Sequence, residues 1–297
     1  MHLRRVKDLL ASRLMLSATI FSALLVVIIA VGLLLRSRPV LSLEPLNRLL
    51  FSSSWHPLNG EFGLYPFIMG TLWVTGVAML IAVPLCVLTS IYLAEYAPRR
   101  VRSVLRPTID LLAGIPSVVY GLFGILLIVP LTKGIAELFG TTTTGYNVLS
   151  GGIVLAMMVF PVIISISTEV IGTVPYGIRE ASLALGATKW QATKLVVIRA
   201  AFPGIVAAII LGFARAFGET MAVLMVVGNV ARAPSSVFDP AYPLPALIAN
   251  NYGEIMSIPL YSSALMFAAL VLLAVVFLFS LGARLILVRV EKRYQVG

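Results

Sequence analysis

The stretch that decides the reading runs over residues 173–204, TVPYGIREASLALGATKWQATKLVVIRAAFPG, and resumes at 212–223 as GFARAFGETMAV. Its first part is polar and basic and lacks the uninterrupted apolar length needed to cross a bilayer. Two short helices are legible in it. The first covers about 175–185, since proline is tolerated in a first helical turn and a glycine, here Gly186, ends helices. The second starts at Thr188, whose spacing to Gln191 is that of a capping box. Gly186, Ala187 and Thr188 therefore form a turn, and the pair of helices makes a knob for a partner's groove or an amphipathic hairpin lying on lipid. The second part predicts a membrane helix over 203–227 that carries Arg215 and Glu219, four residues apart and so on one helix face. A charge at membrane depth costs about 2.5–3.5 kcal/mol on insertion scales, which makes a functional role the default expectation.

The rest of the chain fits this membrane setting. Of its 297 residues 60% are hydrophobic and 11% charged, which no ordinary soluble domain matches. A β-barrel would need short alternating segments, and these are absent. The expected class is an all-α polytopic membrane protein with six transmembrane helices, over about 14–35, 67–94, 108–131, 150–170, 203–227 and 261–287. The first run is too long for a signal peptide and reads as a retained helix. Pro84 and Pro161 interrupt two others, implying kinks or packed breaks. The third holds GIPSVVYG at 114–121, either an ordinary kinked helix or a break lining a pathway, with Ser117 free to hydrogen-bond across an interface. Lysine and arginine number sixteen in the segments assigned to the cytoplasm and five in those assigned outside. That bias places both termini in the cytoplasm.

The domain organisation expected is a tail, first span and external loop over 1–66, then a five-helix core over 67–288 with a cytoplasmic loop at 171–202, then a cytoplasmic tail over 289–297. The external segment 228–260 holds Tyr242, Pro243, Leu244 and Pro245, which suit a short re-entrant or interfacial piece. The net charge of +10 comes from residues flanking the apolar runs, so nucleic acid is not an expected partner. One cysteine, Cys86, and two histidines, His2 and His56, make neither a His/Cys metal site nor a Ser–His–Asp arrangement. No phosphate-binding G-x-x-x-x-G-K-[ST] stretch occurs. No catalytic residue, metal site or cofactor site is expected in this chain.

Glu180, Ala181 and Ser182, then Gly186 after three intervening residues, and Val196 and Ile198 further on resemble the EAA motif of ABC-transporter permease subunits. Ser182 replaces the motif's third residue, Ala, and Arg199 stands where its proline falls; Pro203 follows four residues later. The resemblance implies the type I ABC importer permease fold. It also implies that the loop, with Glu180, Ala181, Ser182, Gly186 and Thr188, docks into a cytoplasmic ATPase and passes on its motion. Further pieces resemble the phosphate (Pst) branch, PstC-type more than PstA-type: Trp55-His56-Pro57, Tyr92-Leu93-Ala94-Glu95-Tyr96, the run from Leu112 to Gly121, and Arg215-Ala216-Phe217-Gly218-Glu219-Thr220. That implies a bacterial inner-membrane location and inorganic phosphate as cargo. The implied partners are a second related permease, two ATP-binding subunits holding ATP and magnesium, and a periplasmic or lipid-anchored phosphate-binding protein.

Arginine suits phosphate because its planar fork gives paired, charge-assisted hydrogen bonds and stays protonated when desolvated. Arg215 is the first candidate for contact with a moving anion, with Glu219, Thr220 and Ser117 beside it on the translocation path. Glu219 could neutralise Arg215 between transport events, or the two could be a permanent structural pair. Sulfate or molybdate would suit the same arginine. A stand-alone secondary transporter would have no use for the loop at Glu180, and an intramembrane enzyme would need a paired-acid or Ser–His site.

Overall fold

The computed structural model describes residues 2–253 and 258–295. Its longer helices are α1 (His2–Leu43), α2 (Tyr65–Tyr96), α3 (Arg99–Ala113), α4 (Ser117–Leu138), α5 (Val148–Thr173), α6 (Tyr176–Ala184), α7 (Lys189–Gly218), α8 (Leu244–Asn251) and α9 (Pro259–Gln295). Six of them, α1, α2, α4, α5, α7 and α9, are long and apolar enough to cross a membrane. A small hairpin, β1 (Trp55–His56) against β2 (Glu61–Phe62), sits at one end of the bundle, with Trp55 opposite Phe62. The turn between α6 and α7 marks the other end.

α5 is the centre of the bundle and packs along α2 and α7. Lipid tails are as apolar as the helices, so membrane helices associate through close packing, and small residues permit it. A side-chain carbon on Gly152 of α5 would collide with Val77 of α2, and one on Gly212 of α7 would collide with Ile163 of α5. Val74, Ala78, Ala82, Leu155, Val159 and Ile163 fill the space between. A second core at the hairpin end gathers Phe62, Phe67, Tyr242, Leu247 and Tyr261, with Trp55 edge-on to Phe67 at 4.9 Å. α1 packs against α9, where Val40 N donates to Ser263 Oγ at 3.1 Å.

Several boundaries differ from the sequence expectation. The third span is not 108–131. The chain builds amphipathic α3, breaks at 114–116, and spans with α4. Ile115 precedes a proline, which disfavours helical backbone, and Pro116 is extended at ψ 141°. GIPSVVYG is a broken helix and not a continuous kinked one. The loop expected at 132–149 is shorter for the same reason, and Lys133 lies inside α4. The fifth span is not 203–227 either. The helix begun at Thr188 never stops at the loop; it runs through Pro203 to Gly218 as one rod of 30 residues, about 45 Å at 1.5 Å per residue. The outer limits shift as well, because α1 continues past Arg36 to Leu43 and α9 continues to Gln295. Residues 296 and 297 of the expected tail, and 254–257 of the expected external segment, lie outside the described residues.

Beyond Gly218 the backbone leaves the helix. Glu219 is extended (φ −72°, ψ 128°), and a single helical turn, Met221–Leu224, follows. The chain then crosses to a bridge between Gly228 and Ala241 and enters α8. Leu244 N donates to Thr71 Oγ1 of α2 at 2.8 Å, which seats α8 against the bundle. Irregular backbone at membrane depth is tolerated where protein buries it. Here Ala222, Val223, Val226 and Val227 are all buried. The short piece anticipated around Tyr242 is therefore a buried helix start.

Candidate functional site

The knob between α6 and α7 is built from local chemistry. α6 closes with Gly186 N donating to Leu183 O at 2.9 Å and Ala187 N to Ser182 O at 3.2 Å, the paired bonds of a Schellman turn. Gly186 has φ +83°, and no atom lies within 4 Å of where its Cβ would stand. Glycine is needed there for backbone conformation and not for space. Thr188 Oγ1 accepts from Gln191 N at 3.3 Å while Thr188 N donates to Gln191 Oε1 at 2.8 Å, completing the capping box. Glu180 and Ala181 are exposed; Ser182 is half-buried and its hydroxyl donates to Arg179 O at 2.8 Å. The tip is apolar: Leu185 is 89% exposed and Trp190, just past the turn, is exposed, as is Tyr176 at the start of α6. An exposed apolar tip on a rigid turn is a surface for a partner.

The base of the knob rests on two residues to which the sequence reading gave no role. Arg179 Nε and Nη2 reach Glu95 Oε1 at 3.1 and 2.8 Å. Nη2 also donates to Ile171 O at 2.9 Å, and Nη1 donates to Val174 O. The side chains are 14% and 9% exposed for Arg179 and Glu95. Glu95 belongs to the wide π-type turn Tyr92–Tyr96 that ends α2, so α6 is tied to the ends of both α2 and α5. A lone acid bounding an arginine-rich segment was the only signal in the sequence.

At the other end of α7 the arrangement differs from the expected pair. Arg215 lies in the last helical turn and is exposed on the chain's own surface. Glu219 lies past the helix end, so the two do not share a helix face. Its Oε1 accepts from Ala222 N at 3.3 Å, and its side chain lines a narrow cavity with Thr71 and Thr75 of α2 and Leu155 of α5. Among the described residues the ion pair within 4.0 Å is Glu95–Arg179, not Arg215–Glu219. The helix stops because Gly218 is a poor helix former and the Glu219 carboxylate caps the next turn. Thr71 and Thr75 are six and ten residues into α2, which puts Glu219 about 9–15 Å below the hairpin end. Thr220 Oγ1 donates to Gly218 O at 3.3 Å.

The helix that follows the first break, α4, packs against the turn Met221–Leu224 that follows the break after α7. A Cβ on Gly121 of α4 would stand 3.3 Å from Ala222 Cα. Tyr120 lies within electrostatic reach of Arg215, and its hydroxyl donates to Leu112 O at 2.9 Å. Ser117 opens α4 one turn earlier and is half-buried. The structure brings Glu219 and Thr220 together at one break, with Arg215 a turn before it; Ser117 belongs to the facing helix. The knob lies at the far end of α7, 26 residues from Lys189 to Arg215, about 39 Å along the axis.

Six spans, a capped helix–turn–helix knob at one end and a charged helix break toward the other define a membrane permease. Residues 86–295 match the model of the binding-protein-dependent transport system inner membrane component family, and the chain belongs to that family. It is 44% identical over 237 residues (79% of this chain, 75% of the relative) to YqgH of Bacillus subtilis, described as a probable ABC transporter permease protein. It is 36% identical over 295 residues (94% and 90%) to the phosphate transport system permease protein PstC of Xylella fastidiosa. The identity is 37% over 259 residues (82% and 79%) to PstC of Mesorhizobium japonicum. Among solved structures it resembles the inward-facing MetNI methionine ABC transporter, with TM-score 0.56 and 20% identity over 80% of this chain and 99% of that one. A bacterial alginate ABC transporter gives TM-score 0.54 and 14% identity, covering 73% and 76%. The fold is that of a type I ABC importer permease, and the chain is a multi-pass inner-membrane protein.

Proposed function

We propose that this chain is one of two related permease subunits of an ATP-driven importer of inorganic phosphate. The observation that carries the reading is Arg215: an arginine at membrane depth, exposed on the chain's own surface beside a helix break. A guanidinium in that place needs an anion or a second subunit, and the similarity to PstC proteins over most of the chain supports phosphate as the anion. On this reading Arg215 contacts the cargo, Glu219 and Thr220 hold the break in shape, and Ser117 opens the helix that packs against it. The knob faces the cytoplasm with both termini, in keeping with the lysine and arginine bias. A separate ATPase grips Leu185 and the residues around it and supplies the ATP and magnesium chemistry. A binding protein outside delivers phosphate to the hairpin end.

The test is uptake of labelled phosphate by cells lacking their own importers, with the whole complex expressed. Wild type should accumulate phosphate in the presence of excess sulfate, and Arg215→Gln should lose uptake while the complex still assembles. Full uptake by Arg215→Gln would remove the arginine from the path. Sulfate competing as well as phosphate would replace the cargo with another oxyanion.

A further inference from the structure

A second polar site lies at the knob end of the bundle, well apart from Arg215. It is a cleft of about 410 Å³ between α3 and α5, walled by Arg106 and Asp110 on one side and Ser165, Thr168 and Glu169 on the other, with Leu93 of α2 at its base. Arg106 and Asp110 are four residues apart, and Ser165, Thr168 and Glu169 are spaced by three and four, so each set occupies one helix face. Thr168 is 4% exposed, yet its Oγ1 has no hydrogen-bond partner among the described residues. Buried hydroxyls are normally satisfied, so an orphan in a cleft wall marks a place for a polar guest. Thr168 is five residues from the end of α5, about 8 Å from the knob end.

We propose that this cleft is a weak exit site for phosphate that still carries a proton. The inference rests on the transport reading above, which makes this the side where cargo leaves. The Arg106 guanidinium and the Ser165 and Thr168 hydroxyls donate to oxyanion oxygens. Asp110 and Glu169 can only accept, so they repel a bare anion and bind one that offers a P–OH. Inorganic phosphate keeps a proton near neutral pH. Sulfate has none to offer, and neither has the phosphodiester of a lipid headgroup. Two carboxylates against one guanidinium keep the affinity low, as release into the cytoplasm requires.

The test uses the complete importer in proteoliposomes, with Ser165→Cys in this chain. Native Cys86 is fully buried, so a water-soluble maleimide reports on the introduced thiol, read on this chain by mass spectrometry. Millimolar phosphate should slow labelling several-fold, while equal sulfate should not. Adding Thr168→Val should weaken the protection, and adding Asp110→Asn should let sulfate protect as well as phosphate. Equal protection by phosphate and sulfate without those changes would overturn the selectivity argument. Protection that tracks lipid headgroup composition and ignores added phosphate would make the cleft a lipid groove and overturn the site. No protection by phosphate would also overturn it. Phosphate accumulated by the same vesicles is measured in parallel, so failure of the exit site and failure of the transport reading are told apart.

Discussion

The tie between Glu95 and Arg179 gives the sharpest quantitative prediction. Arg179→Gln removes two hydrogen bonds to Glu95 and those to Ile171 O and Val174 O. It also leaves the Glu95 carboxylate, only 9% exposed, without its partner. Breaking a buried pair from one side costs about 3–5 kcal/mol, much of it the penalty of the stranded charge. Glu95→Gln strands the arginine instead, but two backbone carbonyls still hold the guanidinium, so its cost should fall toward about 2–3 kcal/mol. The double variant strands no charge, and its cost should be smaller than the sum of the singles by about 1–3 kcal/mol. The measurement is unfolding of the purified chain in mixed micelles, followed by circular dichroism, for all four members of the cycle. Additive costs would show that the two side chains act independently and would refute the tie. The same variants in the complete importer should hydrolyse more ATP per phosphate moved, because α6 would no longer drag the ends of α2 and α5.

Three further outcomes follow from particular residues. Gly186→Ala meets no steric clash but must hold φ +83°, at about 1–2 kcal/mol; the chain should accumulate normally while less ATPase co-purifies with it, and unchanged co-purification would show that the left-handed turn is dispensable. Gly152→Leu would drive a side chain into Val77 of α2 and should abolish stable accumulation, whereas Gly152→Ala, at about 1–3 kcal/mol, should lower the melting point without loss of fold; thermal melts of the two distinguish this from a tolerant interface. The hydrogen bond from the Ser235 hydroxyl, with those from the Ser235 and Ser236 amides, holds the Asp239 carboxyl below its ordinary value. Its contribution is therefore complete above the ordinary aspartate value of about 3.9 and is lost as pH falls through the lower folded value, so hydrogen exchange across 235–239 should accelerate only in strong acid and Asp239→Asn should abolish that acid step.

What the sequence disclosed depended on the range of the interaction. Pro175, Gly186, Thr188 and Gln191 act on their immediate neighbours, so the knob could be read before it was seen. The spans at α2 and α5 were legible within a few residues because apolar run and helix coincide there. They part company elsewhere. Residues 221–227 are apolar and Ala222, Val223, Val226 and Val227 are buried, yet Glu219 caps a new turn and the rod ends at Gly218. Hydropathy reports the surroundings of a segment, not its backbone, and so it overran the fifth helix and misplaced the third around Pro116. The partnership of Glu95 and Arg179 spans 84 residues, and no local pattern encodes a contact made only when α2 and α5 are already side by side. The cleft at Thr168 is hidden for the same reason, since its two walls come from separate helices.

Arg215 also bears on how the cell keeps its inventory. Arg215 is exposed on the surface of the lone chain near the end of a span, so on the proposed function an unaccompanied copy would carry a burden of about 2.5–3.5 kcal/mol that assembly relieves. On the proposed function, surplus copies would be marked for membrane proteases by the same group that meets the cargo in the assembled importer. Abundance of this polypeptide should then follow that of its scarcest companion and not its own rate of synthesis.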